Sequence, residues 1–160
     1  MGEESGDDVV TLFDATRLRL AGAPRERLGD WAPARRLLGI GRAPRIVPVG
    51  EAWHVGVLLI GDAVVYATGE VLRAHPEARR GYTSLAQRER AERAAAAFRG
   101  GFADGEVVHL GAVPLDLDAV ARGEASGPLL VIDAVPHVRW GSSVQPRPLA
   151  GYLDEQLSLR

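Results

Sequence analysis

The stretch from Ala52 to Thr68, AWHVGVLLIGDAVVYAT, restricts the fold of this chain more than any other. It is apolar, rich in β-branched residues, and divided by the turn dipeptide Gly61-Asp62. Such a run predicts a β-hairpin, with Ala52 to Ile60 going out and Ala63 to Thr68 returning. In the outgoing strand Trp53, Val55, Val57 and Leu59 would share one face, and His54, Gly56, Leu58 and Ile60 the other. Both faces are largely apolar, so this strand belongs in the interior of a sheet covered on both sides.

Further elements follow from the same patterns. Ile46 to Val49 and Val71 to Ala74 extend the strand-forming centre, and Glu106 to Leu110, Pro128 to Asp133 and Pro136 to Trp140 read as later strands. Leu85 to Arg99 is the strongest helix. Ser84 and Gln87 form its capping box, Gly100-Gly101 stops it, and Glu89 with Arg93 makes a favourable i,i+4 pair. Its small-residue face, Ala91, Ala94, Ala95 and Phe98, is suited to close packing on a sheet. Asp7 to Leu20 predicts an N-terminal helix capped by Asp7. Pro33 to Leu38 predicts a short helix, followed by a GIGRAP loop. Asp116 caps a short helical turn, and Leu149, Leu153 and Leu157 with Tyr152 and Gln156 make an amphipathic C-terminal helix. Strands joined mostly by hairpins, with one intervening helix, give an α+β fold. Its sheet is expected to be largely antiparallel, with barrel-like closure as an option, packed with N-terminal, central and C-terminal helices. The length of 160 residues suits one globular domain that buries about 70% of its unfolded surface, with residues 1–6 as a disordered tail.

Chemistry is narrowed by what the chain lacks. All 19 basic side chains are arginine, and there is no lysine, cysteine or asparagine. That composition follows a GC-rich codon usage. It removes Schiff-base lysines, phosphate-loop lysines, thiol nucleophiles, disulfides and thiolate-held metal centres. No metal-ligand spacing such as HExxH occurs, and no Gly-x-Ser-x-Gly elbow, so neither a metal nor another cofactor is expected. The net charge of −2 argues against nucleic acid as a partner. This holds even though Arg17, Arg19, Arg25, Arg27, Arg35, Arg36, Arg42 and Arg45 crowd one stretch. No apolar run reaches the ~18 residues of a membrane-spanning helix, and MGEESGDD does not resemble a signal peptide. The cytoplasm is the expected location.

What remains for a site is histidine, carboxylate and arginine. His54, His109 and His137 fall on predicted strands, His137 sharing a face with Arg139. TGEVLRA places Glu70 and Arg73 just after the hairpin. FRGGFADGE places Arg99 at a helix end and Asp104 in the following turn. Arginine forks recognise carboxylates and phosphates. A pocket combining these residues would take a small polar or anionic molecule. The plainer alternative is that Glu70 and Asp104 pair with arginines internally and the histidines stay separate.

The runs GEAWHVGVLLIGDAVVYATGEVLRA, ERAERAAAAFRGGFADGE, PHVRWG and PLAGYLDE resemble a group of small proteins from GC-rich bacteria, some labelled glutaminase. The resemblance spans the chain from about Arg25 onward. It implies hydrolysis of an amide such as glutamine. The lysine and cysteine nucleophiles of well-understood glutaminases are absent here, so it transfers no catalytic residue. Three functions stand from sequence. The first is a small-ligand-binding domain. The second is an amide hydrolase using a hydroxyl or metal-bound water. The third is an interaction or assembly domain with an exposed apolar patch around Trp31 or the C-terminal helix, with self-association left open.

Overall fold

The computed structural model describes residues 8–160, apart from 35, 38, 39, 78–80, 82, 83 and 143. The expected tail at residues 1–6 and the Asp7 cap lie outside the described residues. In chain order the elements are α1 (Val9–Leu20), β1 (Glu26–Trp31), β2 (Arg36–Leu37), β3 (Ile40–Gly41), β4 (Ile46–Val55), β5 (Leu58–Ile60), β6 (Val65–Ala67) and β7 (Glu70–Arg73). Then follow α2 (Leu85–Arg99), β8 (Val107–Leu110), β9 (Val113–Pro114), α3 (Leu117–Ala121), β10 (Leu129–Ile132), β11 (Val135–Val138), β12 (Arg147–Pro148) and α4 (Leu149–Ser158). None of the described helices is long and apolar enough to cross a membrane.

The described residues gather into two compact units. The first holds the residues up to Arg25 with Ala52–Thr68 and Val113–Arg160, and the second holds Glu26–Glu51 with Gly69–Ala112. Strand β4 passes from the second unit into the first, and along it the strand order reads β7-β8-β1-β4-β5-β6-β9. The β1–β8 pair is parallel, while β7–β8, β4–β5, β5–β6 and β6–β9 are antiparallel. The fold is therefore α+β with a mixed sheet. The order has ends at β7 and β9 among the described residues, so the sheet is open and the barrel-like option is corrected.

The first unit is built on the hairpin region, with one change from expectation. The long outgoing strand does not run through to Ile60. It reverses at Gly56, whose φ of +59° suits glycine, and β5 returns along β4. Trp53 then lies opposite Ile60, and Val55 opposite Leu58. These four side chains enter one core with Phe13, Leu129, Leu149 and Tyr152. A Cβ at Gly56 would stand 1.9 Å from the Tyr152 Oη, which instead accepts the Val57 N–H at 3.0 Å. Helix α4 buries Leu149, Tyr152 and Leu153 at the i, i+3, i+4 spacing of a core-facing stripe. Arg25 lies 3.9 Å over the Trp53 ring and binds Asp62 with both terminal nitrogens. The separate β10-β11-β12 sheet completes this unit.

The second unit places α2 against the β7-β8-β1-β4 strands. Its core is Ile46, Leu72, Ala74, Ala96, Ala97, Phe102, Val108 and Leu110. Alanine lets the helix come close, and Gly100 at its end is indispensable, since a Cβ there would lie 1.6 Å from the Ile46 carbonyl oxygen. The buried stripe of α2 is Ala95, Ala96 and Ala97, whereas Phe98 is exposed, unlike its expected packing on the sheet. The short helix expected over Pro33 to Leu38 is not formed. Pro33 and Ala34 are irregular, and Arg36–Leu37 pairs with Ile40–Gly41 as a small hairpin.

Candidate functional site

Strand β7 and helix α2 of the second unit enclose a groove of about 570 Å³. Its lining is Val71, Leu72 and Arg73 of β7, Gln87, Arg90, Ala91 and Ala94 of α2, and Val107 of β8. The helical contributors recur at i, i+3, i+4 and i+7, so they form one stripe along α2. Helix formation itself follows from local sequence. Ser84 accepts the Gln87 N–H at 3.2 Å, and the helix runs over the residues expected.

The groove combines an apolar lining with arginine. Arg73 donates from Nη1 to the Gly105 carbonyl at 2.9 Å. Arg90 is exposed and makes no ion pair among the described residues. Beside the groove, the Arg93 Nε meets both Glu70 oxygens, at 2.9 and 2.8 Å. Two guanidinium groups on a largely apolar surface can receive a carboxylate or phosphate while the rest of a ligand covers Val71, Ala91, Ala94 and Val107.

The other candidates named from sequence make the following contacts within each unit. In the second unit Asp104 meets His75 Nδ1 at 2.9 Å, and Arg99 donates from Nε and Nη2 to the Pro44 carbonyl at 3.3 and 2.8 Å. Glu70 thus pairs with an arginine, Arg93, whereas Asp104 pairs with His75 rather than with an arginine. His109 is fully buried, and its Nε2 lies 2.7 Å from a Glu26 carboxylate oxygen. Glu106 accepts both the Nε and Nη2 of Arg27, at 2.6 and 2.7 Å, and the Ala103 N–H at 3.0 Å. Those donors, Arg27 first, hold its carboxyl at about 2, against a usual value of 4.5. In the first unit His54 is half-buried with Nε2 3.0 Å from the Gly56 carbonyl. His137 Nδ1 lies 2.8 Å from the Val135 carbonyl, and Arg139 is exposed. Of the residues singled out from sequence, Arg73 lines the groove.

Sequence reasoning passed over Arg90 and Gln87 as site residues. Their signal was present, since they share a helical face with Ala91 and Ala94. It was masked because that face also reads as an ordinary packing face. Glu26 as partner of His109 carried no local signal, being 83 residues away. Every hydrogen bond made by a described Ser, Thr or Tyr hydroxyl goes to the main chain, as with Thr16, Thr68, Ser84, Ser126 and Ser158. None of these hydroxyls meets a histidine or carboxylate. No family model, no curated protein and no solved structure matches the chain.

Proposed function

We propose that this protein binds a small organic anion with an apolar body in the groove between β7 and α2. The observation that carries this reading is the joint lining by Arg73, Arg90 and a strip of small apolar side chains. The volume of about 570 Å³ falls inside the range of roughly 300–1,000 Å³ usual for ligand pockets. Arg90 has its charge available, and Arg73 is oriented by its bond to Gly105. A bound carboxylate would accept from these forks, and its hydrocarbon portion would displace water from Val71, Ala91 and Val107. Glu70, neutralised by Arg93, adds little repulsion to such a ligand.

Calorimetric titration with decanoate, and with decanol as the neutral comparison, tests the reading. Decanoate binds more tightly than decanol, and Arg73→Ala and Arg90→Ala each weaken it about tenfold, the equivalent of one charge-assisted hydrogen bond. Ala94→Leu, which fills the groove, abolishes binding of both. Decanoate binding that is absent, or unaltered in the double arginine variant, would reject the proposal.

A further inference from the structure

We infer that the groove takes the free carboxyl-terminal end of an extended peptide, which adds to β7 as a further strand. This rests on the ligand-binding reading above and names the class of ligand. The first support is the hydrogen-bond parity of β7. The Ala74 N–H donates to the Glu106 carbonyl at 3.0 Å, and the Ala74 carbonyl accepts the Gly105 N–H at 2.7 Å. Ala74 therefore faces the residues that lead into β8, on the β8 side of the strand. In an antiparallel ladder the bonding direction alternates residue by residue. Leu72, opposite Val108, and Glu70, opposite Leu110, then also face β8. Val71 and Arg73 turn their N–H and C=O groups the other way, outward from the ladder. These are two of the β7 residues that line the groove. Strand β7 stands at the end of the strand order, with no further strand beyond it among the described residues.

The second support is where the open edge stops. His75 has the same parity as Val71 and Arg73, and its N–H already donates to the Ala94 carbonyl of α2 at 3.1 Å. Among the described residues, the main-chain groups of this edge that remain for a partner are therefore those of Val71 and Arg73, spaced about 7 Å apart at the usual strand rise. That length matches a stretch of three or four residues which ends where α2 closes the edge. The end lies at Arg73, so the terminus placed there meets a guanidinium, with Arg90 on the same groove. A carboxyl terminus complements that charge. An amino terminus would be repelled. The peptide then runs parallel to β7, and alternate side chains face the small Ala91 and Ala94. Small or β-branched apolar residues suit those positions.

The test uses the full chain and the peptide Thr-Val-Thr-Val with a free carboxyl terminus, titrated to millimolar concentration. Amide exchange of the protein is followed by NMR. The N–H groups of Val71 and Arg73 gain at least about tenfold protection on binding, while that of Leu72, already committed to β8, does not change. Amidating the peptide carboxyl weakens binding about tenfold in the wild type and makes little difference in Arg73→Ala. Methylating alternate peptide nitrogens in the register that faces β7 abolishes binding. Binding without protection at Val71 and Arg73 overturns strand addition, and equal binding of the amidated peptide overturns the carboxylate assignment. If decanoate binds but the peptide does not, this inference alone fails. If neither binds, the ligand-binding reading fails with it.

Discussion

Glu106 shows how a single side chain couples the fold to pH. Its carboxylate accepts two bonds from Arg27 and one from the Ala103 N–H, and its pKa falls from 4.5 to about 2. A folded-state value below the unfolded one means that the pair stabilises the fold fully above pH 4.5. The contribution is then lost as pH falls from 4.5 towards 2. The side chains remain 39% and 26% exposed, so solvent screens the pair, and about 1 kcal/mol is the expected contribution. Glu106→Gln should therefore unfold earlier than wild type in urea at pH 6, with the gap narrowing steadily below pH 4.5. A gap of constant size from pH 6 to pH 2.5 would show that the pair contributes no such pH dependence. The sequence displayed Arg27 only as one of a run of arginines. Its carboxylate lies 79 residues further on, and no local spacing connects them.

At the scale of elements, α2 and β1 make opposite cases. The helix was legible because its determinants are local: a serine cap, alanine-rich turns and a glycine stop, whereas Arg93, expected to pair with Glu89, bonds Glu70 instead. Strand β1, with the sequence ERLGDW, lacks a clean alternation and was not predicted. It forms because its main chain is paired in parallel with β8 and because Gly29 makes room for Ile46 and Val108, which would stand 2.8 Å from a Cβ there. The groove depends on the first two turns of α2, which carry Gln87 and Arg90. Ser84→Ala removes the acceptor of the Gln87 N–H and should cost about 1 kcal/mol. The same variant should lower decanoate affinity through fraying of those turns. Thermal melting and calorimetry read the two effects separately. Unchanged melting would mean that the cap bond contributes nothing.

At the scale of the whole molecule the described residues form two hydrophobic cores, one in each unit. Phe13 is fully buried in the first and Phe102 nearly so in the second. Phe13→Ala and Phe102→Ala should each cost about 3–5 kcal/mol, the loss of an aromatic side chain plus the cavity it leaves. Hydrogen exchange should assign each loss to its own core, α1 and α4 for Phe13 and α2 and β8 for Phe102. Protection lost in the same elements for both variants would contradict separate cores. The amino-acid sequence by itself determined the α+β class, the bounds and cap of α2, the α4 stripe, and the exclusion of lysine and cysteine chemistry. These follow from periodicity, propensity and residue type, which act over a few residues. Only the tertiary structure decided the reversal at Gly56, the parallel β1–β8 pair, the open sheet and the meeting of Arg73 with Arg90 on one groove. Those depend on which distant main-chain groups complete each other's hydrogen bonds and on which side chains fit one core, and neither is written in local spacing.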